Sequence, residues 1–148
     1  MAELFQGKTL SSKTLSEVDI QEALQNRVVG LYFSAAWCPP CRQFTPMLRE
    51  VYEELRMRGA PFEVVFVSSD KTSEDLRQYM MDEHGDWLYV PFGDPLISEL
   101  KGKYSVTAIP QLIIIKPNGD IITPLGRKHI QDRGVSCFTS WSQTMEKH

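Results

Sequence analysis

The sequence predicts an α/β fold in which a central, mixed β-sheet carries helices on both of its faces. Two largely apolar runs of strand length, Val28–Phe33 and Phe62–Ser68, flank an amphipathic segment, Gln43–Met57. A strand, a helix and a second strand form a right-handed unit with parallel pairing. Further along the chain, the turn Pro117–Gly119 separates two short apolar segments and predicts an antiparallel hairpin. The sheet is therefore expected to combine both kinds of pairing.

The first part of the chain carries less regular patterns. Lys8–Ser16 alternates weakly and predicts a short hairpin at the edge of the sheet. Val18–Leu24 repeats apolar residues at helical spacing and predicts a short helix with Ser16 as its N-cap. Pro46 lies inside the longer amphipathic segment, where it removes one hydrogen bond of the helix and predicts a kink.

The remaining elements follow from the same periodicities, caps and turn residues. They are a helix capped by Thr72 or Ser73, a packed loop or irregular strand over Trp87–Phe92, a helix over Pro95–Lys103, strands over Gln111–Lys116 and Asp120–Thr123, and one or two helices over Lys128–Lys147. Gly134 is a possible break in the last segment. Residues 1–148 are expected to form a single domain, because the length is ordinary for one domain and we find no linker or repeat.

Composition and charge exclude several classes of protein. The formal net charge is −3 and the basic residues are scattered, so no nucleic-acid partner is expected. The longest apolar runs are only a few residues, which predicts no membrane span. Met1–Lys13 lacks the apolar run of a secretory signal, and three cysteines are too few for a disulfide framework. We therefore expect a cytoplasmic protein.

The segment Trp37–Arg42 reads WCPPCR and lies between the first buried strand and the amphipathic helix. A thiolate attacks a disulfide, and the unpaired N–H groups and the dipole at the start of a helix stabilise that anion. Cys38 would lie at this terminus as the nucleophile. Cys41, one turn further on, would attack Cys38 and resolve the mixed disulfide. The two prolines between them suit the first helical turn, where an N–H has no partner.

Chance spacing and a zinc site are the alternatives for this cysteine pair. Zinc takes about four ligands, commonly from two such pairs, and the chain holds one pair. Cys137 with His129 or His84 would complete a site only if the fold brought them together. The strand before the pair and the helix after it favour redox chemistry, so no metal is expected. Cys137 is predicted to be a buried structural residue of the last helical segment, and the alternative is an exposed regulatory or intermolecular thiol.

Further motifs extend from the cysteine pair along most of the chain. They are Leu31–Arg42, Phe44–Pro46, Phe62–Asp70, Trp87–Phe92, Ile109-Pro110 and Gly126-Arg127. With these motifs the chain resembles the thioredoxin superfamily, and more closely its tryparedoxin and nucleoredoxin branch. Small nucleoredoxin-like members with a cysteine- and tryptophan-bearing tail are the most similar in that branch. The resemblance implies a thioredoxin-like fold and a redox-active cysteine pair.

The resemblance also implies residues that contact a substrate. The family has a cis proline that faces the cysteine pair, and Pro110 stands at the matching place, although an Ile-Pro step is also an ordinary turn signal. A cis bond there would present the backbone of Ile109 to an extended substrate, which would dock by strand pairing. Trp37 lies beside the reactive thiol and is expected to form the surface on which a partner lies, unless it is a core residue.

Three more residues are assigned to the same region. By resemblance Trp87 borders the active site, whereas its local pattern indicates only packing. Gly126 would line the far side of the substrate groove, where a side chain would block the substrate. Arg42 directly follows the cysteine pair, and its positive charge would support the thiolate.

Position 32 departs from thioredoxin itself. Thioredoxin has a buried aspartate six residues before its first cysteine, and this aspartate is held to shuttle the proton of the resolving thiol. The residue here is Tyr32, an aromatic that the nucleoredoxin and tryparedoxin branch shares. Because a phenol has a pKa of about 10, it is a poor base near neutrality. The proton acceptor for Cys41 is therefore unassigned.

Two functions are consistent with these features. The first is a cytosolic thiol–disulfide oxidoreductase that reduces protein disulfides through Cys38 and Cys41. Its electrons would come from a small thiol or another protein, because the sequence contains no dinucleotide or flavin motif and no cofactor is expected. The second is a redox-dependent binding or signalling module, since by resemblance nucleoredoxin-like proteins support the maintenance of photoreceptors and other sensory neurons.

Overall fold

The computed structural model describes residues 9–13 and 17–147, and it is built on one seven-stranded β-sheet. The strands are β1 (Thr9–Ser11), β2 (Glu17–Asp19), β3 (Val28–Ser34), β4 (Phe62–Ser68), β5 (Leu88–Tyr89), β6 (Gln111–Ile115) and β7 (Ile121–Thr123). Their spatial order is β2-β1-β5-β4-β3-β6-β7. The pairs β3–β4 and β4–β5 are parallel and the other pairs are antiparallel. The predicted mixed sheet is confirmed.

Helices cover both faces of this sheet. They are α1 (Ile20–Leu24), α2 (Pro39–Met57), α3 (Ser73–Glu83), α4 (Pro95–Lys103), α5 (Gly126–Arg133), a short 3₁₀ helix (Gly134–Cys137) and α6 (Phe138–Lys147). Alternate residues of a strand point to opposite faces. In β3, Tyr32 packs into the core beneath α2, α3 and the C-terminal helices, whereas Leu31 and Phe33 pack into the core on the side of α1 and α4. The α/β class with two helical layers is therefore confirmed.

The long helix α2 buries the face that its sequence predicts. Phe44, Leu48, Val51, Tyr52 and Leu55 are all buried against the sheet at spacings of three and four residues. The two prolines that follow Cys38 occupy the first positions of this helix. The kink expected at the interior proline stays a prediction.

The N-terminal elements differ from the prediction. β1 and β2 form an edge hairpin in which Leu10 pairs with Val18, so Val18 belongs to a strand and the predicted helical start there is wrong. The helix α1 begins at Ile20 instead, because the Asp19 carboxylate accepts a hydrogen bond from the Glu22 N–H at 3.1 Å and caps the first turn. The predicted cap at position 16 lies outside the described residues, as do Lys8 and residues 14–15 of the predicted hairpin span.

The second half of the chain follows the prediction closely. Thr72 caps α3 through a hydrogen bond from the Asp75 N–H at 3.0 Å. Gly134 has φ +58 and separates α5 from the 3₁₀ helix, so the predicted break is confirmed. The first of the C-terminal helices begins at Gly126, two residues before the predicted start. No helix in residues 17–147 is long and apolar enough to cross a membrane.

Candidate active site

The cysteine pair lies where two parallel strands end side by side. Ser34 at the end of β3 is in register with Ser68 at the end of β4, so the loops that follow these strands are neighbours. Hydrogen bonds join the two loops: the Ala36 N–H donates to Asp70 Oδ1 at 2.8 Å and the Ser69 N–H donates to the Ser34 carbonyl at 2.9 Å. This junction fixes the direction in which the chain enters α2.

Cys38 and Cys41 form a disulfide with their Cα atoms 5.2 Å apart. Cys38 is the N-cap of α2, and its sulfur accepts a hydrogen bond from the Cys41 N–H at 3.3 Å. Pro39 and Pro40 have no N–H, so the N–H of Cys41 is the first one in the helix that can reach this sulfur. The sequence places the helix N-terminus on Cys38, where a thiolate gains most from it.

The two sulfur positions differ in access to solvent. Cys38 retains 5% of its accessible surface, whereas Cys41 retains none. Both pack with Ala35 and Ile109 in a small apolar cluster. Burial is the main cause that raises the pKa of the Cys41 thiol to about 12 in the dithiol form, and its hydrogen bond with Cys38 is the second cause. Cys38 is thus the more accessible member of the pair, and Cys41 is the fully buried one.

The Ile109–Pro110 peptide bond is cis and lies against the cysteine pair. The Ile109 carbonyl oxygen is 3.9 Å from the Cys38 sulfur. An open groove of about 230 Å³ runs beside this contact. It is lined by Trp37, Ser69, Lys101 and the segment from Val106 to Ile109. The reactive sulfur, the cis bond and the groove therefore share one end of the sheet.

Trp37 lies at the rim of this groove. Its side chain is 56% exposed, and its indole N–H donates to the Ser69 carbonyl at 3.0 Å. The ring is therefore fixed in orientation yet open to solvent on the groove side. The position excludes the alternative that Trp37 is a core residue.

Arg42 lies on the other side of the helix start. Its guanidinium donates to the Ala36 carbonyl at 2.9 Å, forms an ion pair with Glu83 and lies 5.9 Å from the centre of the Tyr79 ring. These contacts hold the loop before the helix, and the carboxylate of Glu83 offsets the positive charge. Support of the thiolate by Arg42 stays a prediction.

Trp87 lies in the core and does not line the groove, so its predicted contact with a substrate stays a prediction. Its side chain is fully buried, its indole N–H donates to His84 Nδ1 at 3.0 Å, and its ring meets Tyr52 edge to face. Burial of a large apolar ring is favourable in free energy when its N–H has a hydrogen-bond partner in the core. The structure shows the packing that the local sequence pattern of Trp87 indicated.

Gly126 is also buried in the fold rather than exposed in the groove. A Cβ atom at this position would lie 2.8 Å from both Leu112 Cγ and the Leu112 carbonyl oxygen in β6. The glycine therefore allows the start of α5 to approach the sheet closely, and the predicted role of clearing space for a substrate stays a prediction.

Four hydroxyl groups lie beneath Cys41, and three of them were not predicted as part of the site. Thr45 donates to the Cys41 carbonyl at 2.8 Å, and its oxygen lies 2.6 Å from the Tyr32 hydroxyl and 2.7 Å from the Tyr79 hydroxyl. The Tyr79 hydroxyl is also 2.7 Å from Ser34 Oγ. All four residues are buried. The spacing of four residues between Cys41 and Thr45 was the one local signal for this network.

The two phenols of this network are weak acids and poor bases. Burial raises the pKa of Tyr79 to about 12. Burial, followed by the neighbouring Tyr79 hydroxyl, raises the pKa of Tyr32 above its ordinary value. The phenol at the position of the thioredoxin aspartate thus stays protonated at neutral pH.

The residues considered for a metal site lie apart from the cysteine pair. His84 accepts a hydrogen bond from Trp87, and His129 accepts one from Trp141 at 3.1 Å. Cys137 is fully buried, as predicted, and burial raises the pKa of its thiol to about 11. Within residues 9–13 and 17–147, no three His, Cys, Asp or Glu side chains are grouped so that they could hold a metal ion.

A disulfide-forming cysteine pair at the start of a helix, beside a cis proline and at the end of parallel strands, defines a thiol–disulfide oxidoreductase. A family model described as thioredoxin-like matches residues 26–121. Human nucleoredoxin-like protein 1 is 34% identical over 99% of this chain and 74% of its own length. The chain therefore belongs to the thioredoxin superfamily, in its tryparedoxin and nucleoredoxin branch.

Solved structures agree with this assignment. Tryparedoxin from Trypanosoma brucei superposes with a TM-score of 0.82 at 37% identity, over 95% of this chain and 96% of that chain. Thioredoxin related protein 16 from Carcinoscorpius rotundicauda gives a TM-score of 0.80 at 46% identity, over 93% and 97% of the two chains. Members of this family act on disulfides and are reduced by thiols or by other proteins.

Proposed function

We propose that this protein reduces disulfide bonds of other proteins in the cytosol. The observation that carries the proposal is the position of Cys38: it is the N-cap of α2, receives the first N–H of the helix, and adjoins the groove between Trp37 and Ile109. The N-terminus of a helix favours the thiolate, and the groove leaves room for the second sulfur of a substrate. The three cysteines, of which one is buried apart from the pair, suit a reducing compartment.

The reaction proceeds in two exchanges. The Cys38 thiolate attacks one sulfur of the substrate disulfide, which forms a mixed disulfide and releases the other sulfur as a thiolate. The Cys41 thiolate then attacks Cys38, which forms the intramolecular disulfide and releases the first sulfur. Two electrons have moved from the cysteine pair to the substrate. A small thiol or a protein dithiol restores the pair by the reverse sequence.

An extended segment of the substrate is expected to lie along Ile109. The cis bond turns the backbone of Ile109 towards the groove, next to the Cys38 sulfur. Pairing through backbone groups makes recognition tolerant of substrate sequence. The exposed ring of Trp37 provides apolar contact on the other wall.

The test is reduction of a model protein disulfide driven by dithiothreitol. Cys38→Ser is expected to abolish turnover, whereas Cys41→Ser is expected to accumulate a mixed disulfide that gel electrophoresis without reductant detects. Cys137→Ser serves as the matched control, because its thiol is buried away from the pair, and should keep activity. Undiminished turnover in Cys38→Ser would refute the proposal.

A second candidate is a redox-dependent binding module that supports photoreceptors or other sensory neurons. Two observations favour the binding part of this candidate. The exposed Trp37 gives a partner an apolar contact beside the pair, and the solved relative from Carcinoscorpius rotundicauda is described with a role in regulating the activity of the transcription factor NF-kB. Partner capture that survives loss of both cysteines but not Trp37→Ala would favour this function over catalysis.

A further inference from the structure

Two open cavities beside the cysteine pair share Lys101 of α4 in their walls. One is the groove of about 230 Å³ that runs past Ile109. The other holds about 340 Å³ and extends from Ser69 to the exposed ring of Phe92. Ser69 and Lys101 line both cavities. A substrate segment that lies along Ile109 and continues towards Phe92 therefore passes Lys101.

The ammonium group of Lys101 has unused capacity for hydrogen bonds. An ammonium carries three N–H donors, and the structure gives this one a single acceptor, Ser69 Oγ at 2.6 Å. Among residues 9–13 and 17–147, no carboxylate forms an ion pair with Lys101. The Ser69 hydroxyl holds the positive charge in place without neutralising it. Because the lysine is half-buried, a negative charge beside it is screened less than on an open surface.

The two carboxylates of the second cavity point to where an acidic group of a substrate would bind. Asp70 accepts a hydrogen bond from the Ser68 hydroxyl at 2.7 Å. Asp94 accepts one from the Leu96 N–H at 2.8 Å. Both carboxylates line the second cavity and neither lines the groove, so their negative charge disfavours an acidic group in the second cavity. An acidic side chain of a substrate is therefore expected in the groove, close to Cys38.

The other basic residues of this region lie outside the groove. Arg42 is paired with Glu83 and does not line the groove. Lys103, two residues after Lys101 in the same helix, is exposed, and its Nζ atom lies 5.6 Å from the centre of the Tyr104 ring. Lys101 is thus the one basic residue in the wall of the groove.

We propose that Lys101 is a specificity-determining residue, which selects protein disulfides with an aspartate or glutamate close to the reacting cysteine. The inference rests on the proposed function. The substrate carboxylate accepts a hydrogen bond from the Lys101 ammonium while the Cys38 thiolate attacks the nearby substrate sulfur. The sulfur–sulfur bond of the substrate breaks, and its second sulfur leaves with the electron pair. Because the charge pair forms as the substrate docks, it accelerates this first exchange.

The test uses short peptides whose single cysteine is joined by a disulfide to a neutral pyridine thiol. Attack by Cys38 on the peptide sulfur releases the pyridine thiol, the better leaving group, and stopped-flow absorbance follows the release. The residue before or after the cysteine is aspartate, asparagine or lysine in an otherwise constant sequence. Each rate is divided by the rate of the same peptide with dithiothreitol, which removes the effect of the charge on the intrinsic reactivity of the disulfide.

The wild type is expected to react about two- to fivefold faster with the aspartate peptide than with the asparagine peptide at one of the two positions, as is typical of a partly exposed charge pair. The lysine peptide should react more slowly than both. Salt at roughly 1 M should weaken the preference, because it screens the charge pair.

Three variants assign the preference to position 101. Lys101→Met should reduce the ratio of the aspartate rate to the asparagine rate to about one, whereas Lys101→Arg keeps the charge and should keep a preference for aspartate. Lys103→Met is the matched control. It removes the same charge from the same helix outside the groove, so the wild-type ratio should remain.

Equal rates of the wild type with the aspartate and asparagine peptides at both positions would overturn the inference, as would the same ratio in the wild type and Lys101→Met. A loss of rate by one common factor for all peptides in Lys101→Met would overturn it too, because the lysine would then act on the Cys38 thiolate or on the fold. Absence of release from every peptide in the folded wild type would instead refute the proposed function.

Discussion

The absence of a side chain at Gly126 allows α5 to approach the sheet closely. A Cβ atom there would lie 2.8 Å from the carbonyl oxygen of Leu112, which is a backbone atom of the central sheet and cannot turn aside as a side chain does. Gly126→Ala must therefore displace the helix start, at a cost of about 1–3 kcal/mol in the free energy of unfolding. Urea denaturation of the oxidised protein measures this loss.

Gly102 provides the control for that measurement. It lies in α4 with no heavy atom within 4 Å of an added Cβ, so Gly102→Ala should stabilise the protein by about 0.5–1 kcal/mol through helix propensity. The two substitutions add the same methyl group and should change stability in opposite directions. A change of the same sign in both would contradict the packing role of Gly126.

At the same scale, the sequence identifies reactive residues better than their surroundings. Cys38 and Cys41 were predictable because the spacing of two cysteines along the sequence, at the start of a helix, already indicates redox chemistry. The exposure of Trp37 was predicted from its place beside the reactive thiol. The burial of Trp87 could not be decided from the sequence, since its local pattern indicated packing while the family resemblance placed it beside the site. The hydroxyl network joins β3, α2 and α3, so the spacing between Cys41 and Thr45 is the one part of it that a local pattern could reveal.

The start of α3 shows how one hydroxyl defines an element. Thr72 accepts the Asp75 N–H at 3.0 Å, and Glu74 with Asp75 place negative charge in the first turn. Thr72→Ala should lower the free energy of unfolding by about 1 kcal/mol. The effect matters to the site because α3 carries Tyr79. Chemical denaturation monitored by circular dichroism measures it.

Thr144→Ala is the matched control for this substitution. Thr144 is exposed in the interior of α6 and donates to the Ser140 carbonyl within its own helix. Alanine has the higher helix propensity at such a position, so the change should be neutral or slightly stabilising. Equal losses of stability in the two variants would exclude a capping contribution from Thr72.

At the scale of elements, strong periodicity and special residues made the fold largely predictable. The face of α2, the cap of α3 and the break at Gly134 each follow from residues within a few positions of one another. The prediction was wrong where two local patterns competed. Val18 fits a helix in its own sequence window, but its pairing with Leu10 in the edge hairpin and the Asp19 cap move the helix start to Ile20.

At the scale of the whole molecule, ionisable groups lie either at the surface or in the core. Most charged side chains lie at the surface, where paired or unpaired they contribute little to stability. Glu63 and Asp70 are buried with hydrogen-bond partners, whereas His84 is fully buried among aromatic rings of α3, β3 and β4. Burial lowers its pKa well below the ordinary value of 6.5, and nearby Lys13 lowers it further. The folded protein therefore keeps His84 neutral where the unfolded chain would protonate it.

The sign of the resulting pH dependence follows from proton linkage. Above pH 6.5 the histidine is neutral in both states, so it adds no dependence on pH. As the pH falls below 6.5, the unfolded chain binds a proton that the folded protein excludes. The free energy of unfolding should then fall by up to about 1.4 kcal/mol per pH unit until the folded pKa is reached. Urea titrations between neutral pH and about pH 5 measure the slope.

Two glutamine variants isolate the contribution of His84. Each replaced histidine accepts a hydrogen bond from a tryptophan, and glutamine can accept that bond without binding a proton. His84→Gln should lower stability at neutral pH through lost packing but flatten the decline below pH 6.5. His129→Gln should keep most of the wild-type slope, because burial lowers the pKa of this more exposed histidine less. Parallel curves for the wild type and His84→Gln would show that the buried imidazole does not set the acid sensitivity of the fold.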